Sequence, residues 1–237
     1  MEPNTTVSEV IKFVKDKMSS ADNRPQNTTP FSDRLVYEAL IAARSTMLYE
    51  KYRNNEELNM ANYQRIGCIK LEEVDTVECP CAPASGCTFL RTIVDVPIPF
   101  GGFTSVTSVD GSITYSYVRW DRFKVKLMDR HASILPDGYF TTQNTKEGVK
   151  LYVYNDIHKE AISATGIFPD PLKIYNHADC NGVVNPCLNP FNKIFPIDPE
   201  LKSALYQAAI QLLSPVVQTS DVIQNDSDDV LGSTPIK

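Results

Sequence analysis

In the stretch SDRLVYEALIAARSTMLYEKYR, apolar residues fall at Leu35, Val36, Ala39, Leu40, Ala43 and Met47. This i, i+3, i+4, i+7 spacing gathers them on one face of an α-helix and predicts that the face is buried. Ser32 is placed to cap the free amides at the start, Asp33 suits the positive end of the helix dipole, and Lys51 and Arg53 suit the negative end. A helix from Ser32 to Arg53 would be about 30 Å long, a strut with Tyr37, Tyr49 and Tyr52 on or near its flanks. Before it, Thr6 and Glu9 have the spacing of a capping box, which predicts a helix from Val7 to about Met18 with Val7, Val10, Ile11 and Val14 inward. Residues 19–30, polar with Pro25 and Pro30, read as the loop between the two helices. A third helix is predicted near the C-terminus, with Asp198 as cap and Pro199 in its first position. Its stripe is Leu201, Ala204, Leu205, Ala208 and Leu212, and Ser214-Pro215 ends it.

Between the second and third helices the apolar period falls from 3.6 to 2. IGCIKLEEVD alternates as a strand does, and Ile93 to Ile98 reads as an edge strand or strand end, because Pro97 and Pro99 cannot donate to a ladder. Val106 to Val109 and Ile113 to Val118 flank Asp110-Gly111, a tight hairpin signal. Phe123, Val125 and Leu127 alternate with Lys124 and Lys126; Pro136-Asp137-Gly138 marks a turn before Tyr139-Phe140; Val149, Leu151 and Val153 alternate again. Residues 169–199 hold prolines at 169, 171, 186, 190, 196 and 199, an irregular arm anchored by Ile174, Phe191, Ile194 and Phe195.

The expected fold class is therefore α+β: a helical bundle built from both chain ends with a large inserted antiparallel β region, sandwich or barrel-like. The expected boundaries are N-terminal helices 1–62, β region 63–168, Pro/Cys-rich arm 169–197, a C-terminal helix 198–215 packing on the N-terminal helices, and an acidic mobile tail 216–237. That tail is too polar to build a core, yet it carries Val216, Val217, Val222, Ile223, Val230 and Leu231 between acidic positions. Aliphatics so placed are expected to order on a partner. With Tyr37 and Tyr49 of the long helix they are the candidate assembly interface.

Composition narrows the functional classes. A chain of 237 residues, 42% hydrophobic, can build a core without metal or disulfide. No run of about 18 apolar residues exists for a membrane span, and MEPNTTVSEV lacks the basic and apolar regions of a signal peptide, so an intracellular protein without membrane contact is expected. A formal charge of -6 and a pI of about 5.1 argue against nucleic acid as the main partner. Cys79, Cys81 and Cys87 lie close together, and Cys180 and Cys187 lie near His177, but neither group has paired CxxC spacing. They are expected to be reduced loop thiols with no zinc, and Cys68, within an apolar run, to be core. GxxxxGK[ST], GxGxxG after a strand, HExxH and GxSxG are all missing. His131 follows Asp129 and Arg130, and adjacent residues on a strand point to opposite faces, while His158 sits in the polar stretch NDIHKEA. No catalytic, metal or cofactor-binding residue is assigned, no cofactor is expected, and the chain is read as a non-enzyme. Trp120, beside Arg119 and Asp121, reads as core packing at a strand start in preference to a carbohydrate platform or interface anchor.

Within LYVYNDIHKEAISATGIFPDP, a strand followed by I-x-x-x-G-I-F-x-D-P, carried by Ile162, Gly166, Ile167, Phe168, Asp170 and Pro171, resembles structural proteins of tailed bacteriophages, particularly the crAss-like gut phages. The order of helices around a β region also resembles the head-to-tail connector, adaptor or ring proteins under the portal. The resemblance spans residues 30–215 and implies a virion subunit assembled in the host cytoplasm. It further implies a homo-oligomeric ring, a dodecamer, that contacts the portal and adjacent ring or tail proteins and lets DNA pass without specific binding. Acidic walls fit such a conduit, because they repel the duplex and let it slide. The competing expectation is a β-sandwich tail or capsid decoration module that recognises a surface glycan.

Overall fold

The computed structural model describes residues 5–21, 31–74, 89–122, 138–154, 160–175, 177 and 189–228, the backbone alone for 21, 89, 154, 190 and 216–228. The chain divides into two compact units, one of Met1–Leu58 with Phe191–Lys237 and one of Asn59–Pro190.

The first unit is helical. Helix α1 (Val7–Ala21) opens with the predicted capping box: the Thr6 amide donates to Glu9 Oε2 at 2.8 Å and the Glu9 amide to Thr6 Oγ1 at 3.3 Å. Val7, Val10, Ile11, Val14 and Met18 are all buried. Helix α2 (Asp33–Arg53) is capped by Ser32, whose side chain accepts from the Leu35 amide. It buries Val36, Tyr37, Ala39, Leu40, Ala43, Arg44 and Leu48, so its dry stripe is rotated from the predicted one: Leu35 faces solvent and Met47 is half-buried. Rotation brings in Arg44, fully buried, whose Nε donates to the Pro196 carbonyl at 2.8 Å. The segment after Phe191 is also tied to α1, through Val7 N to Lys193 O at 2.9 Å and Phe195 N to Thr5 O at 3.0 Å. Of the predicted anchors there, Phe195 is buried and Ile194 is exposed.

Asp198 caps as predicted, accepting from the Glu200 amide, though the first turn, Pro199–Leu201, is a 3-10 turn leading into helix α4 (Lys202–Asp228); the short helix Pro171–Ile174 of the second unit is α3. The buried stripe of α4 is Leu205, Ala209 and Leu213, and Leu212, expected inside, is 52% exposed. Ser214-Pro215 does not end this helix. The proline removes one donor, to Gln211 O, beside the exposed Gln211 and Leu212 where water can replace it, and the backbone stays helical to Asp228. Residues 216–228 are thus helix where a mobile tail was expected.

The second unit overturns the predicted architecture of a helical bundle carrying an inserted antiparallel sandwich or barrel-like region. Its seven strands are β1 (Gln64–Glu73), β2 (Phe89–Thr92), β3 (Phe100–Ser108), β4 (Thr114–Tyr117), β5 (Gly138–Asn144), β6 (Val149–Tyr154) and β7 (Ala161–Ile167). They form a closed barrel in the order β1-β2-β6-β5-β4-β3-β7, with β7 returning to β1. The sheet is not wholly antiparallel, because β4 and β5 run parallel. Closure is favourable because it leaves no strand edge unpaired.

The barrel interior is filled by Ile66, Ile69, Val106, Phe140, Leu151, Val153, Ile162, Ala164 and Phe168, among others. Ile66 and Ile69, three apart, both point inward because β1 carries a bulge: Ile66 faces Ala164 and Ile69 faces Ile162, so two residues of β1 oppose one of β7. Cys68, in that bulge, is buried as expected and is also disulfide-bonded, its partner lying outside the described residues. Cys79, Cys81, Cys87, Cys180, Cys187, His131, His158 and the Phe123–Leu127 alternation also lie outside the described residues.

The hairpin around Asp110-Gly111 forms, with Val106 opposite Tyr115 and Gly111 at φ 73°. Its loop is longer than a two-residue turn, closed by Ser108 N to Ile113 O at 2.9 Å and by the Asp110 carboxylate, which accepts from the Ser112 amide and from the Ser108 and Ser112 hydroxyls. Ile93 to Ile98 is not a strand: the Ile93 amide still donates to Lys70 O at 3.0 Å, Val96 forms an isolated reciprocal bridge with Val149, and Ile93, Val94 and Ile98 are exposed. Pro97 and Pro99 supply no donors with which to extend that bridge.

Two outcomes follow. A Cβ on Gly148 would lie 2.4 Å from the Val96 carbonyl oxygen, which the bridge to Val149 holds in place. Gly148→Ala should therefore destabilise by about 2 kcal/mol or more in denaturant melts, while Gly67→Ala, with nothing within 4 Å, should not. Arg44→Ala should cost about 3 kcal/mol or more through the cavity and the orphaned Pro196 carbonyl, and an unchanged melting temperature would show that this buried guanidinium does not hold the helical unit.

Candidate functional site

Strand β5 builds one end of the barrel. Phe140, Thr142 and Asn144 recur at the two-residue spacing of one strand face and pair across to Val153, Leu151 and Val149, whose side chains are buried. The parallel ladder sets Tyr117 beside Phe140. On the opposite wall β3 and β7 lose register: Phe100 faces Ile167 and Ser105 faces Thr165, so four residues of β3, 101–104, stand against the single Gly166. Gly101 and Gly102, at φ 66° and 93°, supply the left-handed backbone this bulge requires. The result is a concavity of about 310 Å³ at the mouth of the barrel, lined by Ile98, Pro99, Phe103, Tyr117, Thr142 and Asn144 among others.

Its walls are braced. Tyr117 is 57% exposed but stands edge-on to Phe140, ring centroids 5.4 Å apart at 60°. Phe103 is edge-on to the fully buried Phe168 at 6.3 Å. Pro99 reaches β7 where only a glycine leaves room, since a Cβ on Gly166 would lie 2.7 Å from Pro99 Cβ. Behind the wall, Lys150 Nζ donates to the Thr92 and Ile93 carbonyls at 3.2 and 3.0 Å and lies 3.8 Å from Asp95, which accepts from Thr145 Oγ1 at 2.8 Å. That network fixes the strand ends on either side of the Val96–Val149 bridge. A second, shallower cleft of about 670 Å³ lies along β1 and is lined by Lys70, Ile93, Val109, Asp110 and Glu160 among others.

Comparison of the chain with family models and with the curated proteins found no match.

The residues singled out in the sequence do not converge on this mouth. Tyr37 is 7% exposed and meets Phe191 edge-on at 5.8 Å within the helical unit, so it is a core residue and is withdrawn as a surface contact. Tyr49, at 55%, is exposed, as is Tyr52 at 51%. Val216, Val217, Val222 and Ile223 lie on α4 where only the backbone is described, and Val230 and Leu231 lie outside the described residues. Trp120 stands edge-on to Tyr152 at 5.0 Å. No group of three or more metal-ligating side chains occurs among the described residues, and no described helix is long and apolar enough to cross a membrane.

Sequence reasoning missed Tyr117, Phe103, Thr142 and Asn144. The one local signal was the Gly101-Gly102 pair inside a strand pattern, which marks a bulge. Chemically, the mouth offers apolar and aromatic surface, one hydroxyl, one amide and a phenol. Among the described residues the three shifted ionisable groups lie elsewhere: burial raises the Tyr175 phenol, burial and the Glu9 carboxylate raise that of Tyr206, and burial lowers the His177 imidazole.

Burial of the His177 imidazole predicts an acid-sensitive fold. Because its folded-state value lies below the ordinary 6.5, the unfolded chain binds the proton more readily, and stability fully present above 6.5 is lost as pH falls from there through the lower folded-state value. The melting temperature should fall between about pH 7 and 5, and His177→Gln should flatten that slope. An identical pH profile in the variant would show that the imidazole is not held neutral by the fold.

Proposed function

We propose that this chain is a structural subunit of a tailed-phage virion, of the ring or head-to-tail adaptor type, which assembles with copies of itself and docks on a portal and adjacent ring or tail proteins. The supporting observation is the outer face of α2. Tyr49 and Tyr52, one turn apart and more than half exposed, sit on a helix whose opposite face is closely packed. Rigid aromatic side chains left in water are the residue type that anchors protein interfaces, because they bury large area at low entropic cost. In a ring each subunit meets its neighbour through two different patches, and α4 offers the second. It runs for 27 residues, about 40 Å by helical rise, and its last turns carry Val222 and Ile223 in the sequence. The likeness of Ile162, Gly166, Ile167, Phe168, Asp170 and Pro171 to phage structural proteins supports the same reading, as does the net negative charge, which suits a wall past which DNA slides.

Sedimentation velocity and native mass measurement of the full chain, alone and with the portal from the same particle, test this. A closed ring, or a complex with the portal, is expected. Tyr49→Glu with Tyr52→Glu should leave a folded monomer that no longer closes, and deletion of residues 216–237 should keep the fold while abolishing portal docking. A chain that stays monomeric and ignores the portal would remove the proposal.

A further inference from the structure

The barrel mouth carries an inference that stands without the ring reading. We infer that it binds one uncharged pyranose ring, as at the end of a surface glycan. Tyr117 is the first reason. A large aromatic ring left mostly in water is costly to expose and is usually free to turn, but this one is held by Phe140 in a fixed attitude. It presents a flat, pre-ordered apolar surface, and a pyranose has the matching surface, a face of C–H bonds.

The polar groups are the second reason. Thr142 and Asn144 line the same cavity, and neither makes a side-chain hydrogen bond with the described residues. A hydroxyl and a primary amide each both donate and accept, as does every hydroxyl on the rim of a sugar. A purely apolar ligand would leave both groups unmatched. Charge is the third: no Lys, Arg, Asp or Glu is among the described lining residues, so none of these compensates the desolvation of an acidic or basic ligand.

Size and floor complete the fit. About 310 Å³ is at the lower limit of small-ligand pockets and suits one ring in place of an extended chain. Gly102 lines the cavity, and nothing lies within 4 Å of where its Cβ would stand, so the backbone there is open to close approach. The larger cleft along β1 lacks this convergence, since its lining mixes Lys70, Asp110 and Glu160 with Ile93 and Val109.

The test is a titration of the full chain with the methyl glycosides of glucose, galactose, mannose and N-acetylglucosamine, read by ligand-observed NMR, with adenosine and sialic acid in parallel. Saturable millimolar binding of at least one neutral sugar is expected. Tyr117→Ala should weaken it about tenfold or more, Asn144→Leu should weaken it in the same direction, and Tyr117→Phe should retain most of it. Tyr117 and Asn144 are exposed, so all three variants should stay folded, with Tyr117→Ala melting slightly lower through loss of its edge-on contact with Phe140. Failure of every neutral sugar to saturate, saturation by adenosine or sialic acid alone, or binding unchanged in both Tyr117→Ala and Asn144→Leu would each overturn the inference. Ring assembly and portal docking are measured separately, so failure of either reading leaves the other standing.

Discussion

Strand β7 is hydrogen-bonded on both edges, to β1 on one side and β3 on the other, and this double pairing closes the barrel. Its composition suits the position. Ile162 and Ala164 point into the core with no exposed surface, and Gly166 leaves the space that Pro99 occupies. Phe168, just past the strand, is fully buried; Asp170 caps the short helix α3, accepting from the Leu172 amide at 3.0 Å; Pro171 opens it, and its Ile174 joins the barrel core. Ile162, Gly166, Ile167, Phe168, Asp170 and Pro171 are therefore the residues that close and seal the barrel. A motif of this kind marks how a fold is finished more directly than where a site lies.

In the helical unit the comparable constraint is Arg44. A guanidinium taken wholly out of water must be hydrogen-bonded, and Pro196 O, 152 residues away in sequence, is one acceptor. The charge fixes α2 against the segment that leads to Asp198 and α4 with a directionality that apolar contacts alone do not have. Apolar packing then does the bulk of the work, from Val36, Leu40 and Leu48 on α2 and from Leu205 and Leu213 on α4.

The mouth of the barrel depends on departures from regularity. Glycines with positive φ at 101 and 102, a register slip against Gly166, and a two-residue bridge in place of a strand at Val96 open the end of an otherwise filled interior. A seven-stranded barrel is too narrow to hold a ligand along its axis once Ile, Leu and Phe side chains fill it, so a site has to sit at the rim. There Tyr117 and Phe103 can be exposed on one side and braced on the other.

The sequence alone determined what is local. Capping at Thr6, Ser32 and Asp198 depends on atoms three residues apart or fewer, and all three caps form. The hairpin at Asp110-Gly111 and the alternation of Val149, Leu151 and Val153 are likewise set by neighbours, and both are present. Tertiary structure decided the rest. A period of two is shared by sandwiches and barrels, so closure, and the parallel pairing of β4 with β5, depend on contacts that no window of the chain contains. One bulge in β1 reverses which residues face the core, placing Ile69 inside with Ile66. Small rotations of amphipathic helices exchanged Leu212 for Leu213 and drew Tyr37 and Arg44 inward while Tyr49 stayed out. Helical periodicity specifies that one face is buried, but its edges are settled only by the partner packed against it.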